Sequence, residues 1–593
     1  MPLTVTRGVD RREFILGATA AGIASQAVGQ QATALAPAQG RFGAQTHFGH
    51  IDWSKDVVGT LGARGIHLTR IRDELFWNLL EPERGVYDWT YGDRVMSDLA
   101  ATGARVILGF GFGNPLYNSP GHSFPDTDEA RTAFADYVYA ALDRYAGAAG
   151  KYPGLIAGIE VWNEANGNWN GGYGQREMAF LLAELTGRVF QRVRADSSFD
   201  GIPVLGCAAV GVPLRFIDRC FAQGIGSSID KVVVHPYGSP EALLKEVTWL
   251  RDRLDQNGHE QAIWATEFGN LTSADDMVKT LAAVAAAPLE VASYYLSKSD
   301  DHFASGLMDA RNRLTRVGQA WTAWADILST STFIERETLS RRLYSLRFRT
   351  ADGSTLRVCW SRWGSAPLAV AGAHVARDAF GRKVPTQQQY DVDVAPLILV
   401  GDAVLASAPG DRRVLAEAFD DFDLSPGRNG WSYHSRTVDR TEEMEPGYGN
   451  DRGTSWGLAA GGAASLTAHG AHPGVVGGVP VEAVRRWTAP CSCAATLSGS
   501  AMRGADGDGV DVSILKNGEP VFVRHALLDG TAEFDVGLDI AEGDHVDFVT
   551  APRADQHFDF TRWNILISTA QPEAALEGAV QANQQGEAVH GTL

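Results

Sequence analysis

The sequence is poor in cysteine, in positive charge and in long apolar runs. It has 5 cysteines among 593 residues, and none has the spacing of a metal site. Lysine and arginine number 52 against 71 aspartates and glutamates, so the formal net charge is −19. Such a chain is a poor partner for nucleic acid or for an anionic membrane surface. No run approaches the roughly 20 apolar residues that a membrane helix needs, so stable membrane insertion is not expected.

The few cysteines leave two pairings open. Cys207 and Cys220 could form a disulfide in an oxidising compartment, and Cys491 could pair with Cys493 only under strain. We expect all five to be structural. Their oxidation state and the oligomeric state of the protein stay open.

The N-terminus has the order of an export signal. Arg11 and Arg12 precede a short apolar run, which is followed by small residues up to Ala36. This order predicts a twin-arginine-type signal peptide over residues 1–36, and therefore a periplasmic or extracellular protein. A frayed amphipathic N-terminus is the alternative.

Short apolar runs alternate with amphipathic ones from about residue 40 to 330. The predicted strands are residues 41–47, 67–72, 105–112, 157–162, 204–209, 231–235, 262–266 and 290–296. Eight strands alternating with helices predict a (β/α)₈ barrel, the TIM barrel of α/β proteins. A doubly wound open sheet is the alternative, but the first strand lacks the glycine-rich phosphate turn typical of that fold.

After about residue 330 the pattern becomes all-β. Residues 331–412 predict a small β domain with a hairpin turn at 351–353, and residues 413–569 predict a β-sandwich that could bind glycan. Residues 570–593 have little apolar content, which predicts a flexible tail. In the sandwich, Asp506, Asp508 and Asp511 could hold Ca²⁺, although their spacing favours a polar hairpin turn.

Polar side chains follow the predicted barrel strands, where barrel enzymes carry their reacting groups. In chain order they are Arg72, Asn114, Tyr117, Asn163, Glu164, His235, Tyr237, Glu267 and Tyr295. Glu164 and Glu267 follow strands four and seven, which lie nearly opposite each other in an eight-stranded barrel. A lone glutamate at a strand end is usually structural, but two facing carboxyl groups are what glycosidic cleavage requires.

The neighbours of the two glutamates suggest different tasks. Arg72 and Tyr237 are candidates to keep Glu267 ionised, and Asn163 can donate a hydrogen bond to a sugar hydroxyl. Two tryptophans, Trp77 and Trp169, either belong to the core or stack on sugar rings at the barrel mouth.

These residues resemble clan A glycoside hydrolases, which are retaining (β/α)₈ enzymes. The resemblance rests on Asn163-Glu164, on the His235-Pro236-Tyr237 turn and on Glu267. IRDELFWNLLEPERGVYDW and GFGNPLYNS are similar to segments of the family 39-like branch and its bacterial exopolysaccharide-degrading members.

The resemblance implies that Glu164 is the general acid/base and Glu267 the nucleophile. It also implies that Arg72, Asn163, His235 and Tyr237 support substrate and nucleophile, with no metal or cofactor. Ala165 departs from the proline that often follows the acid/base. Tyr294-Tyr295 departs from the tryptophan that many clan members carry after strand eight.

The sequence thus predicts an exported retaining glycosidase that acts on a polysaccharide or oligosaccharide. The alternatives are a non-catalytic glycan-binding protein on a barrel scaffold and a metal-dependent hydrolase. For the metal enzyme, only His235 and His47 stand at predicted strand ends as ligands, where a cluster is expected. The sugar, its anomer and the choice between endo and exo attack stay open.

Overall fold

Parallel strands close into a barrel in the first half of the chain. A computed structural model describes residues 40–570 except 50–55, 120–121, 148, 168–169, 300–303, 340, 408–411, 426, 449–452, 460–463 and 505. Within these residues the barrel strands are β1 (Phe42–Gln45), β2 (Arg70–Phe76), β3 (Arg105–Gly111), β4 (Ile156–Val161), β5 (Val204–Val210), β6 (Lys231–His235), β7 (Ala262–Gly269) and β8 (Leu289–Tyr295). β1 pairs with both β2 and β8, which closes the sheet. The (β/α)₈ barrel is confirmed, and the open sheet is wrong.

Helices connect the strands on the outside of the barrel. They are α1 (Asp56–Ala63), α2 (Trp77–Leu80), α3 (Thr90–Ala101), α4 (Asp128–Tyr145), α5 (Gln175–Arg194), α6 (Leu214–Ala222), α7 (Pro240–Gln256), α8 (Ala274–Ala286) and α9 (Arg316–Thr330). Hydroxyl side chains begin several of them, because the first amide groups of a helix lack backbone partners. Thr127 accepts from the Ala130 amide at 3.0 Å, and Ser239 accepts from the Ala242 amide ahead of α7. In the described residues no helix is long and apolar enough to cross a bilayer.

The second strand differs from its prediction. Residues 67–72 were expected, whereas β2 runs from Arg70 to Phe76 and includes Asp73 and Glu74. These two acidic residues resemble a strand end, yet Asp73 is fully buried. Its carboxylate accepts hydrogen bonds from the Thr46 hydroxyl at 2.6 Å and from the Phe48 amide at 2.9 Å. Tertiary hydrogen bonds therefore allow charged residues in the strand interior.

A small β region follows the barrel. Its strands are β9 (Thr332–Arg336), β10 (Leu343–Arg349), β11 (Thr355–Ser361), β12 (Ala366–Ala371), β13 (His374–Arg377), β14 (Gln389–Val392), β15 (Leu397–Gly401) and β16 (Val404–Ser407). They form two sheets with the orders β13-β15-β11-β10-β9 and β14-β12-β16. β10 and β11 form the predicted hairpin, whose turn includes Gly353 at φ 85°. A positive φ favours glycine at this position.

Two larger antiparallel sheets form the C-terminal sandwich. Their strands are β17 (Arg413–Glu417), β18 (Trp431–Arg436), β19 (Thr441–Glu443), β20 (Glu445–Pro446), β21 (Ser455–Gly457), β22 (Ser465–Thr467), β23 (Gly470–His472), β24 (Gly474–Val476), β25 (Val479–Thr488), β26 (Cys493–Arg503), β27 (Val510–Lys516), β28 (Glu519–Leu527), β29 (Gly530–Ile540), β30 (His545–Pro552) and β31 (Thr561–Thr569). One sheet has the order β20-β21-β22-β23-β31-β26-β29 with β17 beside β31. The other has the order β19-β18-β25-β30-β27-β28 with β24 beside β25. Trp431, Trp487 and Trp563 belong to the core that the sheets share.

Polar contacts join the sandwich to the barrel helices and to the small β region. Lys245 of α7 donates to the carbonyl oxygens of Asp420 and Phe422 at 3.1 and 2.9 Å. Arg336 of β9 forms an ion pair with Asp420 at 2.6 Å. The predicted division of the chain into separate domains stays a prediction.

Several remaining predictions concern cysteines, calcium and the chain ends. All five cysteines are buried and none forms a disulfide. Asp508 and Asp511 accept hydrogen bonds from the amides of Ala554 and Ala526, as expected for turn-forming residues. The predicted signal peptide lies outside the described residues, as does the predicted tail beyond residue 570.

Candidate active site

Three side chains from three strand ends meet in the barrel mouth. Glu164 follows β4, His235 ends β6, and Glu267 lies near the end of β7. One carboxylate oxygen of each glutamate and one ring nitrogen of His235 lie within 4.8 Å of one another. The two glutamates that the sequence placed at opposite strands are therefore close neighbours.

The backbone after β4 is strained where it presents Glu164. Trp162 and Glu164 have φ of 68° and 49°, a region that L-residues rarely adopt. The Glu164 amide donates to the Ala208 carbonyl at 2.7 Å, and the Asn170 side chain donates to the Glu164 carbonyl at 2.9 Å. Strain held in place by surrounding hydrogen bonds is typical of functional sites.

Glu267 is held by two donors and is 6% exposed. Arg72 Nη1 lies 2.8 Å from one of its oxygens, and the Tyr237 hydroxyl donates to the other at 2.5 Å. Hydrogen bonds from a guanidinium and a phenol stabilise the ionised form of a carboxylate. Burial together with the charge of Glu267 raises the pKa of Tyr237 well above its usual value, so the phenol keeps its proton.

Glu164 has different surroundings. Its Oε1 lies 3.0 Å from His235 Nδ1, and in the described residues no arginine or lysine pairs with it. Its side chain is 13% exposed, against 8% for that of Glu267. The Glu164 carboxylate is therefore slightly more exposed at the barrel mouth than that of Glu267, and it contacts an imidazole rather than a guanidinium.

His235 links the two carboxylates. Its ring is fully buried, with Nε2 3.0 Å from the Thr266 hydroxyl and Nδ1 3.7 Å from Glu267. Burial by itself would lower the pKa of His235. The negative charges of Glu267, Glu164 and Glu160 outweigh that effect, so the pKa is raised.

Arg72 organises a group of buried carboxylates below the mouth. Its guanidinium lies 2.6 Å from Glu160, 2.8 Å from Glu267 and 2.9 Å from Glu74. Sequence reasoning missed Glu160, which is fully buried in β4. An acidic residue inside the apolar run IAGIEV was the signal that could have revealed it.

The structure corrects two predicted substrate-binding residues. Trp77 has no exposed surface; its indole nitrogen donates to Glu81 at 2.6 Å and its ring stacks on Tyr117. Of the two alternatives left open for Trp77, the structure therefore favours the core position, because protein covers the faces of its ring. Asn114 is 2% exposed. Its side-chain NH₂ group donates to the Glu81 carbonyl and its side-chain oxygen accepts from the Leu116 amide, so Asn114 shapes the loop after β3.

The other predicted residues have mixed placements. Tyr295 is half-buried near the mouth, with its ring 6.5 Å from that of Tyr237 and 5.5 Å from that of His47. The Tyr117 hydroxyl donates to Glu81 rather than to either central glutamate. Trp169 lies outside the described residues. Tyr117, Tyr295 and Trp169 stay predictions as substrate-binding residues.

A divalent metal fits the mouth by geometry, but one of its potential ligands is already hydrogen-bonded. Glu164, His235 and Glu267 are the one group of three potential ligands that converges within the described residues. However, both Glu267 oxygens already accept hydrogen bonds from Arg72 and Tyr237. A metal ion bound to Glu267 would therefore have to displace one of these two donors. The donor set therefore fits paired-carboxylate chemistry better than metal chemistry.

Comparison with known proteins agrees with the predicted fold. A beta-galactosidase family model (Glyco_hydro_42) matches residues 48–116. No curated protein matches the sequence. A family 39 glycoside hydrolase from Bacteroides cellulosilyticus WH2 superimposes with a TM-score of 0.50 at 19% identity, covering 61% of this chain and 81% of that one. The chain thus has the fold of a family 39 glycoside hydrolase, and the predicted resemblance is confirmed at that level.

Two further solved structures are more distant. The catalytic domain of the GH30 xylanase C from Talaromyces cellulolyticus has a TM-score of 0.44 and 13% identity, with 60% of this chain and 95% of that one covered. A glucosidase from Croceicoccus marinus has a TM-score of 0.41 and 12% identity, with 88% of this chain and 96% of that one covered.

Proposed function

We propose that this protein is a retaining glycoside hydrolase in which Glu267 is the nucleophile and Glu164 the general acid/base. The observation that carries the proposal is the close approach of the two carboxylates, with oxygens within 4.8 Å. Retaining glycosidases hold their carboxyl groups about 5–5.5 Å apart, and inverting ones about 6.5–9.5 Å apart. The short distance supports double displacement.

The two roles follow from the contacts of each glutamate. Arg72 and Tyr237 stabilise the anion at Glu267. Glu164 lies beside His235, and no arginine or lysine of the described residues pairs with it, so we assign it the role of proton donor.

The reaction then has two steps. A Glu267 oxygen attacks the anomeric carbon while the glycosidic bond breaks, and the leaving oxygen takes the bond electrons and the Glu164 proton. In the second step Glu164 accepts a proton from water, whose oxygen attacks the same carbon and releases the Glu267 carboxylate.

Asn163 is proposed to position the sugar. Its side-chain oxygen accepts a hydrogen bond from Arg72 at 3.1 Å, which orients its NH₂ group away from the guanidinium. That NH₂ group has no partner among the described residues. A hydrogen bond from it to a sugar hydroxyl beside the reacting carbon would strengthen as the transition state forms.

Substitution of the two glutamates tests the proposal. Glu267→Gln should lower turnover of activated aryl glycosides by at least about 10³-fold, because no nucleophile remains. The substrate panel begins with aryl β-galactosides, since the matching family model describes a beta-galactosidase. Glu184→Gln, at an exposed position on α5, is the matched control. Unchanged turnover in Glu267→Gln would overturn the nucleophile, and an inactive wild type on every glycoside would favour a glycan-binding protein.

Glu164→Gln separates the acid from the nucleophile. A substrate with a poor leaving group needs the proton, so its turnover should fall by about 10²–10⁴-fold. An activated aryl glycoside leaves without that proton, so its first step should be nearly unaffected. NMR of the first-formed product should show the anomer of the substrate, whereas the opposite anomer would contradict retention. Chelators should leave activity unchanged.

Export is also part of the proposal, supported by the Arg11-Arg12 pair and the apolar run that follows. Replacing both arginines by lysine should keep the protein inside the cytoplasm, as measured by fractionation and immunoblotting. Undiminished export of that variant would contradict a twin-arginine route.

A further inference from the structure

A second cavity lies outside the barrel, between helix α7 and the sandwich. Its volume is about 210 Å³. Helix α7 begins soon after Tyr237, so the cavity lies at the end of the barrel that carries the carboxylates. We call it the α7 pocket and define it by Lys245, Glu246, Trp249, Thr454, His469 and Phe560.

The walls of the α7 pocket are fixed by contacts that do not involve a ligand. Lys245 donates to the carbonyl oxygens of Asp420 and Phe422, and the Trp249 ring lies 6.2 Å from that of Phe422. Burial lowers the pKa of Lys245 to about 8. The lysine therefore serves the junction between α7 and the sandwich, and it is not a free cation for binding an anion.

Three polar groups in the α7 pocket lack a protein partner. The His469 ring, the Thr454 hydroxyl and the Trp249 indole N–H form no hydrogen bond with any residue that the structure describes. Thr454 is buried, with 6% of its surface exposed. His469 and Trp249 are half-buried, so all three can offer hydrogen bonds to a molecule that enters the cavity.

The His469 ring is uncharged, which defines what it can bind. Burial and the nearby positive charges of Arg562 and Arg362 lower the pKa of His469 to about 3. A neutral imidazole offers one donor and one acceptor. Together with a hydroxyl and an indole N–H, it matches the alternating donors and acceptors of sugar hydroxyl groups.

Aromatic surface completes the α7 pocket. Trp249 lines the helix side, and Phe560, 42% exposed, lines the sandwich side. Aromatic faces are apolar surfaces against which the C–H groups of a sugar ring can pack. Pockets for drug-sized ligands have volumes of about 300–1,000 Å³, so a volume of about 210 Å³ suits a single ring.

We propose that the α7 pocket binds one neutral sugar unit of a glycan, separately from the carboxylate pair, and so holds the polysaccharide on which the barrel acts. The carbohydrate class of the occupant rests on the proposed function as well as on the lining of the pocket. Since Glu246 is in the wall and Lys245 is engaged, an anionic sugar fits the α7 pocket less well than a neutral one.

Affinity electrophoresis in native gels tests this proposal. The probes are galactan, xylan and β-glucan, and the protein is the full chain carrying Glu267→Gln, so that the polysaccharide is not cut. We expect at least one probe to retard it. Phe560→Ala and Thr454→Val should each weaken the apparent affinity by about twofold to tenfold, the effect of one lost neutral contact. Trp249→Phe keeps the packing on Phe422 but removes the indole N–H, and should also weaken the apparent affinity.

Controls separate this proposal from the catalytic one. Phe558→Ala removes a more exposed phenylalanine of the same loop, 69% exposed and outside the α7 pocket, and should leave retardation unchanged. With Glu267 present, the α7 pocket variants should cleave small aryl glycosides at the wild-type rate. Retardation that the three variants do not alter, or no retardation by any probe, would overturn the proposal. Pocket-dependent retardation by a wild type that cleaves no glycoside would overturn only the proposed catalysis.

Discussion

Buried charges are arranged differently in the barrel mouth and in the sandwich. In the sandwich, Arg503 and Asp559 are fully buried and face each other at 3.2 Å, one positive charge against one negative charge. In the barrel mouth, the one guanidinium of Arg72 lies within 2.9 Å of Glu74, Glu160 and Glu267. Glu164 adds a further carboxyl group, and no arginine among the described residues pairs with it.

The difference separates a structural role from a functional one. In a buried ion pair that serves only the fold, positive and negative charges usually balance, because an uncompensated buried charge is costly. The barrel mouth instead keeps an excess of carboxyl groups around one cation. An arrangement that is unfavourable for stability and persists is typical of an active site, where shifted acidities serve the reaction.

The largest expected effect comes from removing the shared cation. Arg72→Met would remove the guanidinium that pairs with three buried glutamates, which should cost about 3–5 kcal/mol of stability. Loss of a donor to the nucleophile should also lower kcat by about 10²–10³-fold. Calorimetry and aryl glycoside kinetics measure the two effects. Arg72→Lys keeps the positive charge and should retain more stability than Arg72→Met. Equal losses of stability in the two variants would show that the charge of Arg72 does not stabilise the fold.

The next effect compares one carboxylate from each region. Asp559→Asn removes the acidic partner of Arg503 and should cost about 3–5 kcal/mol. Glu160→Gln should cost less, about 1–3 kcal/mol, because Arg72 keeps Glu74 and Glu267 as partners. Apparent unfolding free energies in urea test the order. If Glu160→Gln were the more damaging of the two, the contrast between shared and one-to-one pairing would be wrong.

A smaller effect concerns pH and His235. Its pKa in the folded protein is raised above the unfolded value of 6.5. The protonated ring therefore contributes stability that is fully present below about pH 6.5 and is lost as the pH rises through the folded pKa. The difference in melting temperature between wild type and His235→Gln should shrink as the pH rises from about 6.5 through the folded pKa. A difference that grew with pH would contradict the raised pKa, and the exposed His557 provides a control substitution.

The smallest effect is expected at the sandwich surface. Arg440 and Glu442 form an ion pair at 3.2 Å with side chains 67% and 39% exposed. Glu442→Gln should change stability by less than about 1 kcal/mol, since solvent and salt screen such pairs. A larger loss by urea denaturation would mean that exposure does not distinguish this pair from the buried ones.

Much of the barrel could be predicted because hydrophobic periodicity and the spacing of the apolar runs are local properties of the sequence. β6 matches its predicted bounds, 231–235, and both central glutamates were found from their position after apolar strands. The role of Trp77 stayed open because a tryptophan after a strand has the same sequence signature whether helix α4 or a sugar covers its ring. Glu160 was overlooked because its burial depends on Arg72, a residue 88 positions away.

What the sequence by itself determined was the alternation of strands and helices, and with it which side chains arrive at the barrel mouth. Hydrophobic periodicity sets that order without any distant contact. Only the tertiary structure decided that the Glu267 carboxylate binds Arg72 and Tyr237 while the Glu164 carboxylate binds His235, because these contacts join strands far apart in the chain. The α7 pocket likewise exists only where α7 meets the sandwich, since neither element lines it alone.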